Sequence, residues 1–197
     1  MCLYTNEKMK FFTMQNKLLS LKSGYTHQLN EILSLGGLVI DDAEDDYVEW
    51  MNDIEVTRYT EQRFHKTTLD DITSYLEKMA QSPNALFYGI YENSKLIGTI
   101  KLDSINAQHL TANLSYLIGS KKHWGQGIAS LAIAEMGKVG FNILGLEKIS
   151  AGVYVNNKAS IRVLEKNGFY LDGVRKAQFI YENERIDALW YAKEKIT

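Results

Sequence analysis

The succession of elements in the sequence predicts a mixed α/β fold in one domain, its sheet mostly antiparallel rather than doubly wound. Three observations lead there. "ALFYGIYE", the turn "NSK" and "LIGTIKLDSI" are two β-rich runs around a short turn, the pattern of an antiparallel hairpin. "TANLSYLIG", a helical pattern after Gly127, "KISAGVYV" and a helical "KASIRVLEKN" follow as strand, helix, strand, helix. "FYLDGVRKAQFIY", the turn "ENE" and "RIDALWYAKE" then close the chain as a second hairpin.

Each helix carries its own signals. "DDAEDDYVEWMND" is acidic, with Tyr47, Trp50 and Met51 at helical spacing on one face. In "TTLDDITSYLEKMAQ", Thr68 caps the helix with Asp71 three residues on, and Leu69, Ile72, Leu76 and Met79 form the buried stripe. The helix after Gly127 places Ile128, Leu131, Ala132, Met136 and Val139 on one stripe and closes near Gly145. Asn157 caps the last helix, which stops at Gly168. The start of the chain is less legible. "NKLLSLK" and "LVI" (residues 38–40) are both candidates for the first strand, and "THQLNEILSL" between them reads as a short helix ended by Gly36 and Gly37.

Composition narrows the function classes. The 197 residues are 45% hydrophobic and 23% charged, with a net charge of −2. That is enough chain to bury a real core, and the near-neutral charge argues against a nucleic-acid binder held by a basic face. Cys2 is the only cysteine, so the sequence carries no disulfide framework and no thiolate cluster, which fits a reducing compartment. His27, His65, His109 and His123 are scattered rather than set at metal-ligand spacing, so no metal is expected. No apolar run approaches the ~20 residues of a membrane span. No apolar segment with a small-residue cleavage site opens the chain either. The expected location is cytoplasmic, with no membrane and no nucleic-acid partner.

The stretch "YLIGSKKHWGQGIAS" carries the first chemical signal. Two glycines stand between the end of a strand and the start of a helix, preceded by Lys121 and Lys122. Helix N-termini present backbone N–H groups without intrahelical partners, and glycines let that backbone approach a phosphate closely. The same residues also suit a plain turn with solvated lysines. A P-loop would end in G-K-[ST], whereas Ile128 and Ala129 follow Gly127, and a dinucleotide fingerprint would not have Ser130 at its third small position.

The residues Lys122-His123-Trp124-Gly125-Gln126-Gly127 resemble the Q/R-x-x-G-x-G/A pyrophosphate loop of the GNAT superfamily of acetyl-CoA-dependent N-acetyltransferases, with Lys122 in place of Gln or Arg. "NKASIRVLEKNGF" is similar to the N-x-x-S helix and K-x-G-F turn of the branch that holds ribosomal-protein N-terminal acetyltransferases and sugar-amine acetyltransferases. "YVEWMNDIEVTRY" resembles the first helices of that branch, and the similarity spans roughly residues 38–193. It implies a GNAT-type sheet splayed between the strand ending near Leu117 and "KISAGVYV", with acetyl-CoA in the gap as acetyl donor. Carried over by position, Leu117 and Gly119 would lie along the pantetheine arm. Backbone N–H groups of Lys122, His123, Trp124, Gly125, Gln126, Gly127, Ile128 and Ala129 would hold the pyrophosphate, and Asn157 and Ser160 would approach from the other side. Residues 38–197 would form the acetyltransferase domain. Residues 1–37 are an extension whose role stays open between a strand and helix over the acceptor site, an element of a homodimer, and disorder.

Acetylation of an amine by direct attack in a ternary complex needs no protein nucleophile. It needs a donor for the developing oxyanion, such as a strand N–H near Leu117, and groups that move protons. Relatives often carry a glutamate where this chain has Asn113, and a tyrosine where it has Leu164. The remaining catalytic candidates are Asp103, Tyr116 and Tyr154, each of which also reads as an ordinary strand-end or wall residue. In similar sugar-linked members a T-E-x-R segment follows the first helices, here Thr60, Glu61, Gln62 and Arg63. Glu61 would bind a cationic amine and Arg63 a phosphate or carboxylate. Asn52 and Asp53 read as a turn or cap that fixes the entry to this segment. The expected acceptor is a small polar amine, an amino sugar or sugar nucleotide first. The alternatives are a protein N-terminus and a CoA-binding sensor without catalysis.

Overall fold

Alternation of apolar and polar residues lays down an eight-stranded sheet in the order β1-β2-β3-β4-β5-β6-β8-β7. The strands are β1 (Thr26–Gln28), β2 (Leu33–Gly37), β3 (Leu86–Glu92), β4 (Lys95–Asn106), β5 (Thr111–Ile118), β6 (Lys148–Tyr154), β7 (Tyr170–Tyr181) and β8 (Glu184–Glu194). Neighbouring strands are antiparallel except β5 and β6, which are parallel and joined through helix α5 (Ile128–Lys138). The computed structural model describes residues 2–42 and 44–195, the side chains of residues 2–11 excepted. The Cys2 side chain and the last two residues of the expected domain lie outside that range.

The two faces of the sheet carry two cores. On one, Leu86, Tyr88 and Ile90 of β3 and Ile100 and Leu102 of β4 are wholly buried against Ile133 and Met136 of α5, with Met14, Leu18 and Leu21 of helix α1 (Cys2–Gly24) in the same cluster. On the other, Phe87 and Tyr91 meet Tyr47, Ile72, Leu76 and Leu96, with the helices α2 (Asp45–Asn52) and α4 (Leu69–Gln81) packed there. Short α3 (Ile54–Thr57) follows α2, and α6 (Lys158–Lys166) seals the far end with Leu164. Among the described residues no helix is long and apolar enough to cross a membrane.

The capping box at Thr68 forms as expected. The Asp71 N–H donates to Thr68 Oγ at 3.3 Å and the Thr68 N–H to Asp71 Oδ2 at 2.8 Å. Leu69 and Leu131, expected in buried stripes, are exposed, each in the first turn of its helix at the rim of the packed face. The start of the chain differs more. "NKLLSLK" is helical, because Met14, Leu18 and Leu21 recur at spacings of four and three and bury one face. "THQLNEILSL" is a hairpin, not a helix. Asn30 Oδ1 accepts the N–H groups of Ile32 and Leu33, and this side-chain turn reverses the chain so that Leu33 and Leu35 alternate into the core. β2 pairs with β3, so residues 26–37 continue the same sheet, between the two strand candidates.

The sheet opens at one place. β5 and β6 pair only where Thr111, Ala112 and Asn113 face Lys148, Ile149 and Ser150. Beyond that, residues 114–118 pair with β4 alone and residues 151–154 with β8 alone. The two strands diverge into a wedge whose β5 side keeps an unpaired backbone edge.

Candidate active site

At the wide end of the wedge the chain makes a tight loop whose side chains mostly fix its own backbone. Gly119 follows β5, and a Cβ there would overlap the Trp50 indole. The N–H groups of Gly119 and Ser120 donate to the Ile97 carbonyl at 3.0 and 3.1 Å. Trp124 Nε1 donates to the Ile118 carbonyl at 2.8 Å, and Gln126 Nε2 to the Lys122 carbonyl at 2.7 Å. His123 is buried, with Nε2 3.1 Å from Glu92 Oε2. Lys121 bridges Asp53 at 2.7 Å and Glu55 at 2.6 Å, contacts that raise the lysine pKa and lower that of Asp53.

Gly125 and Gly127 adopt φ of +75° and +79°, the left-handed region that side chains resist, and nothing lies within 4 Å of where either Cβ would sit. Gly127 is the N-cap of α5, so the N–H groups of the following first turn have no carbonyl partners within the helix. Two of the expected pyrophosphate donors are used elsewhere. The N–H groups of His123 and Trp124 close a 3₁₀ turn onto Ser120 and Lys121 at 3.0 and 3.1 Å. Of the expected donors, these two are therefore committed to the turn. The Lys122 ammonium has no partner among the described residues and stands exposed beside them.

Across the wedge, Asn157 Oδ1 accepts the Ser160 N–H at 3.1 Å and caps α6. That leaves the Ser160 hydroxyl to meet the Tyr116 hydroxyl at 2.6 Å. Burial pushes the Tyr116 phenol above its ordinary pKa, only partly offset by this bond, so it stays protonated at neutral pH.

The other face of β3–β5 floors a cavity of about 870 Å³. Thr99, Lys101 and Asp103 of β4 alternate with buried Ile100 and Leu102 and point to this floor, beside Ser115 and Leu117 of β5. Met51, Glu61, Gln62 and Tyr75 build the walls. Their loop is pinned at both ends. Asp53 caps α3 through the Glu55 N–H at 2.8 Å, and Asn52 takes the Thr67 backbone through N–H and carbonyl at 3.0 and 2.8 Å.

Glu61 accepts the Tyr154 hydroxyl at 2.8 Å, and Tyr154 accepts Arg63 Nη1 at 2.8 Å. Burial, reinforced by Glu61 and opposed by Arg63, raises the Tyr154 phenol. Arg63 also donates to the carbonyls of Arg58 at 2.9 Å, Thr60 at 3.2 Å and Ile180 at 2.7 Å. Protein acceptors take Nη1 and one Nη2 hydrogen, while Nε has no acceptor among the described residues. Arg63, expected from sequence to take a phosphate or carboxylate, locks the loop to the tip of the last hairpin through these bonds. Asp103 lines the cavity but is paired with Lys101 at 3.0 Å.

The structure thus brings Tyr116 to Ser160, Glu61 to Tyr154 and Arg63, and Glu61, Asp103 and Leu117 to one cavity. Sequence reasoning missed Lys101, Thr99, Ser115 and Tyr75. The signal for the first three was the polar half of the alternation in "GTIKLD" and "NLSYL".

Known proteins are similar in sequence and in fold. The Acetyltransferase (GNAT) domain family matches residues 33–170. Uncharacterized N-acetyltransferase YoaA of Bacillus subtilis (strain 168) is 35% identical over 147 residues, 72% of this chain and 81% of its own. Among solved structures, the microcin C7 self-immunity acetyltransferase MccE, in complex with acetyl-CoA and AMP, superposes with a TM-score of 0.77 at 22% identity, over 90% of this chain and 99% of that one. RimL, a ribosomal L7/L12 α-N-protein acetyltransferase in complex with coenzyme A, gives 0.78 at 18% identity over 86% of this chain and 98% of its own. The last two likenesses concern the fold, whereas the family match spans both the cavity floor and the loop at Gly125 and Gly127. On that ground the chain belongs to the GNAT acetyltransferase family and is an N-acetyltransferase.

Proposed function

We propose that the enzyme transfers an acetyl group from acetyl-CoA to the primary amine of a small polar molecule, an amino sugar or sugar nucleotide first, by direct attack in a ternary complex. The observation that carries this reading is one cavity whose floor includes Leu117, on the stretch of β5 that has parted from β6. An acceptor in the cavity and a donor along that free strand edge would meet at the same few residues.

The residues present suit acetyl-CoA. The space where Cβ atoms of Gly125 and Gly127 would lie is open, and the backbone N–H groups of Gly125, Gln126, Gly127, Ile128 and Ala129 would hold the pyrophosphate, with Lys122 adding charge. Leu117 and Gly119 would flank the pantetheine arm, and Asn157 with Ser160 the opposite wall. When bound, acetyl-CoA supplies the activated acyl group.

The chain's own part is to hold an amine and move protons. Glu61 is assigned the amine, because its side chain is hydrogen-bonded to a neutral phenol and not to an ammonium. It draws in the protonated acceptor and takes up the proton that the amine must lose, directly or through one water. Asp103 also lines the cavity and is already neutralised by Lys101. Tyr116 is assigned the proton for the departing sulfur, and the Ser160 hydroxyl orients it. Tyr154 and Arg63 are positioning residues for Glu61.

Thiol release from acetyl-CoA, measured over a panel of amines, tests the reading. Turnover of amino sugars or their nucleotides is the expected result. Turnover only of peptides through their N-termini would replace the acceptor, and acetyl-CoA binding with no thiol release on any amine would replace the enzyme with a sensor.

A further inference from the structure

The acceptor cavity holds a cation that packing does not require. Lys101 lies between Ile100 and Leu102, both wholly buried on the other face, while its own side chain on the cavity floor is 20% exposed. Its Nζ sits 3.0 Å from Asp103 Oδ2 and donates to the Tyr75 hydroxyl at 3.1 Å. Burial works to lower its pKa, but the contacts with Tyr75 and Asp103 outweigh it and hold the lysine above its ordinary value. Ion pairs withdrawn from water contribute little net stability, and a pair of apolar residues would floor the cavity as well. The charge therefore calls for a purpose other than holding the fold.

Hydrogen-bond capacity shows what is left over. An ammonium has three donors, and two of those on Lys101 are taken. The third has no partner among the described residues. Tyr75, accepting from Lys101, retains its own hydroxyl proton to donate. Ser115, the register partner of Lys101 across β4 and β5, adds a hydroxyl to the same floor. Lys66, without a partner among the described residues, adds a second ammonium to the lining. Unused donors thus gather around Lys101. Of the three carboxylates in the lining, Asp103 is paired with Lys101 and Asp71 is taken up by the Thr68 cap, which leaves Glu61, held only by the Tyr154 phenol, for a cation.

We propose that the acceptor is an amine that also carries an oxyanion, a phosphate or a carboxylate, and that Lys101 is the residue that selects it. The oxyanion takes the third Lys101 donor and the Tyr75 hydroxyl, and the ammonium takes Glu61. The inference rests on the acetyltransferase reading of this cavity and deepens it, because it favours anionic members of the proposed acceptor class over neutral ones.

The test compares matched acceptors by thiol release: glucosamine 6-phosphate against glucosamine for the phosphate source, and an amino acid against its amide for the carboxylate source. In one of these pairs the wild type is expected to favour the anionic member by about tenfold or more in kcat/KM, the scale of one charge-assisted bond. Lys101→Gln should bring that ratio close to one, and Lys101→Arg should restore part of it. Equal use of both members by the wild type, or an equal loss on both in Lys101→Gln, would overturn the proposal. Calorimetric titration with glucosamine 6-phosphate and with the amino acid, in the presence of CoA, separates this from the parent reading. Binding that weakens in Lys101→Gln, without thiol release from any amine, would keep the oxyanion site and overturn the reaction. Turnover of neutral amines with no preference for an anion would do the reverse, and failure of both would overturn the two together.

Discussion

The Tyr116 hydroxyl lies 2.6 Å from Ser160 Oγ, and the pair ties β5 to α6 across the wedge where β5 and β6 have stopped pairing. The bond depends on a division of labour in the first turn of α6. Asn157 takes the Ser160 N–H and fixes the backbone of the residue whose hydroxyl meets Tyr116. A helix cap thereby sets the position of a proton donor on a neighbouring strand.

If Tyr116 supplies the proton, Tyr116→Phe should lower kcat by about 10²-fold or more and leave acetyl-CoA affinity unchanged. Steady-state kinetics beside calorimetry would read this split. A general acid works only while protonated, and this phenol is shifted upward. Its loss should therefore limit the wild type only above the ordinary tyrosine pKa of about 10. A basic limb near neutrality that vanishes in Tyr116→Phe would contradict the assignment.

Glu61→Gln should reduce turnover by about 10²–10⁴-fold, again with acetyl-CoA affinity intact. Tyr154→Phe removes the one hydrogen bond that the structure gives the Glu61 side chain and should raise the acceptor KM more than it lowers kcat. Equal KM values in wild type and Tyr154→Phe would remove Tyr154 as a positioning residue.

Arg63→Ala should destabilise the fold by about 1–3 kcal/mol, because four carbonyl and hydroxyl acceptors lose their donor. Urea denaturation would measure it. The same variant should keep acetyl-CoA affinity, since Arg63 faces the last hairpin and not the glycine loop.

Thr68→Ala removes one half of the capping box of α4 and should cost about 1 kcal/mol, with no effect on KM for either substrate. Thermal or urea unfolding reads the first quantity and steady-state kinetics the second.

The second half of the chain was legible because its elements announce themselves. Asn157 and Gly168 bracket α6, and "NSK" and "ENE" close hairpins that the register confirms. The splay was legible only through resemblance, since no local pattern says that Thr111, Ala112 and Asn113 pair with β6 while Leu114 does not. The N-terminal third misled for a physical reason. "THQLNEILSL" has helical spacing and strand spacing at once, and the choice was made by Asn30 turning the chain and by the open edge of β3 waiting for Leu33 and Leu35. In the candidate site, Glu61 and Tyr116 could be named from the chain, but their partners could not. Tyr154 is 93 residues from Glu61, and Ser160 is 44 from Tyr116. Nor could the chain show that Arg63 meets Tyr154 and Ile180, 91 and 117 residues away.

Everything proposed for the reaction depends on the loop with left-handed Gly125 and Gly127 as the cradle for the diphosphate of acetyl-CoA. Calorimetric titration of the wild type and of Gly127→Glu with acetyl-CoA, beside ATP and NADH, tests it most directly. Micromolar binding of acetyl-CoA alone to the wild type is expected, and none to a Gly127→Glu variant whose circular dichroism shows it folded. Undiminished binding to that folded variant, or no binding to the wild type, would contradict it.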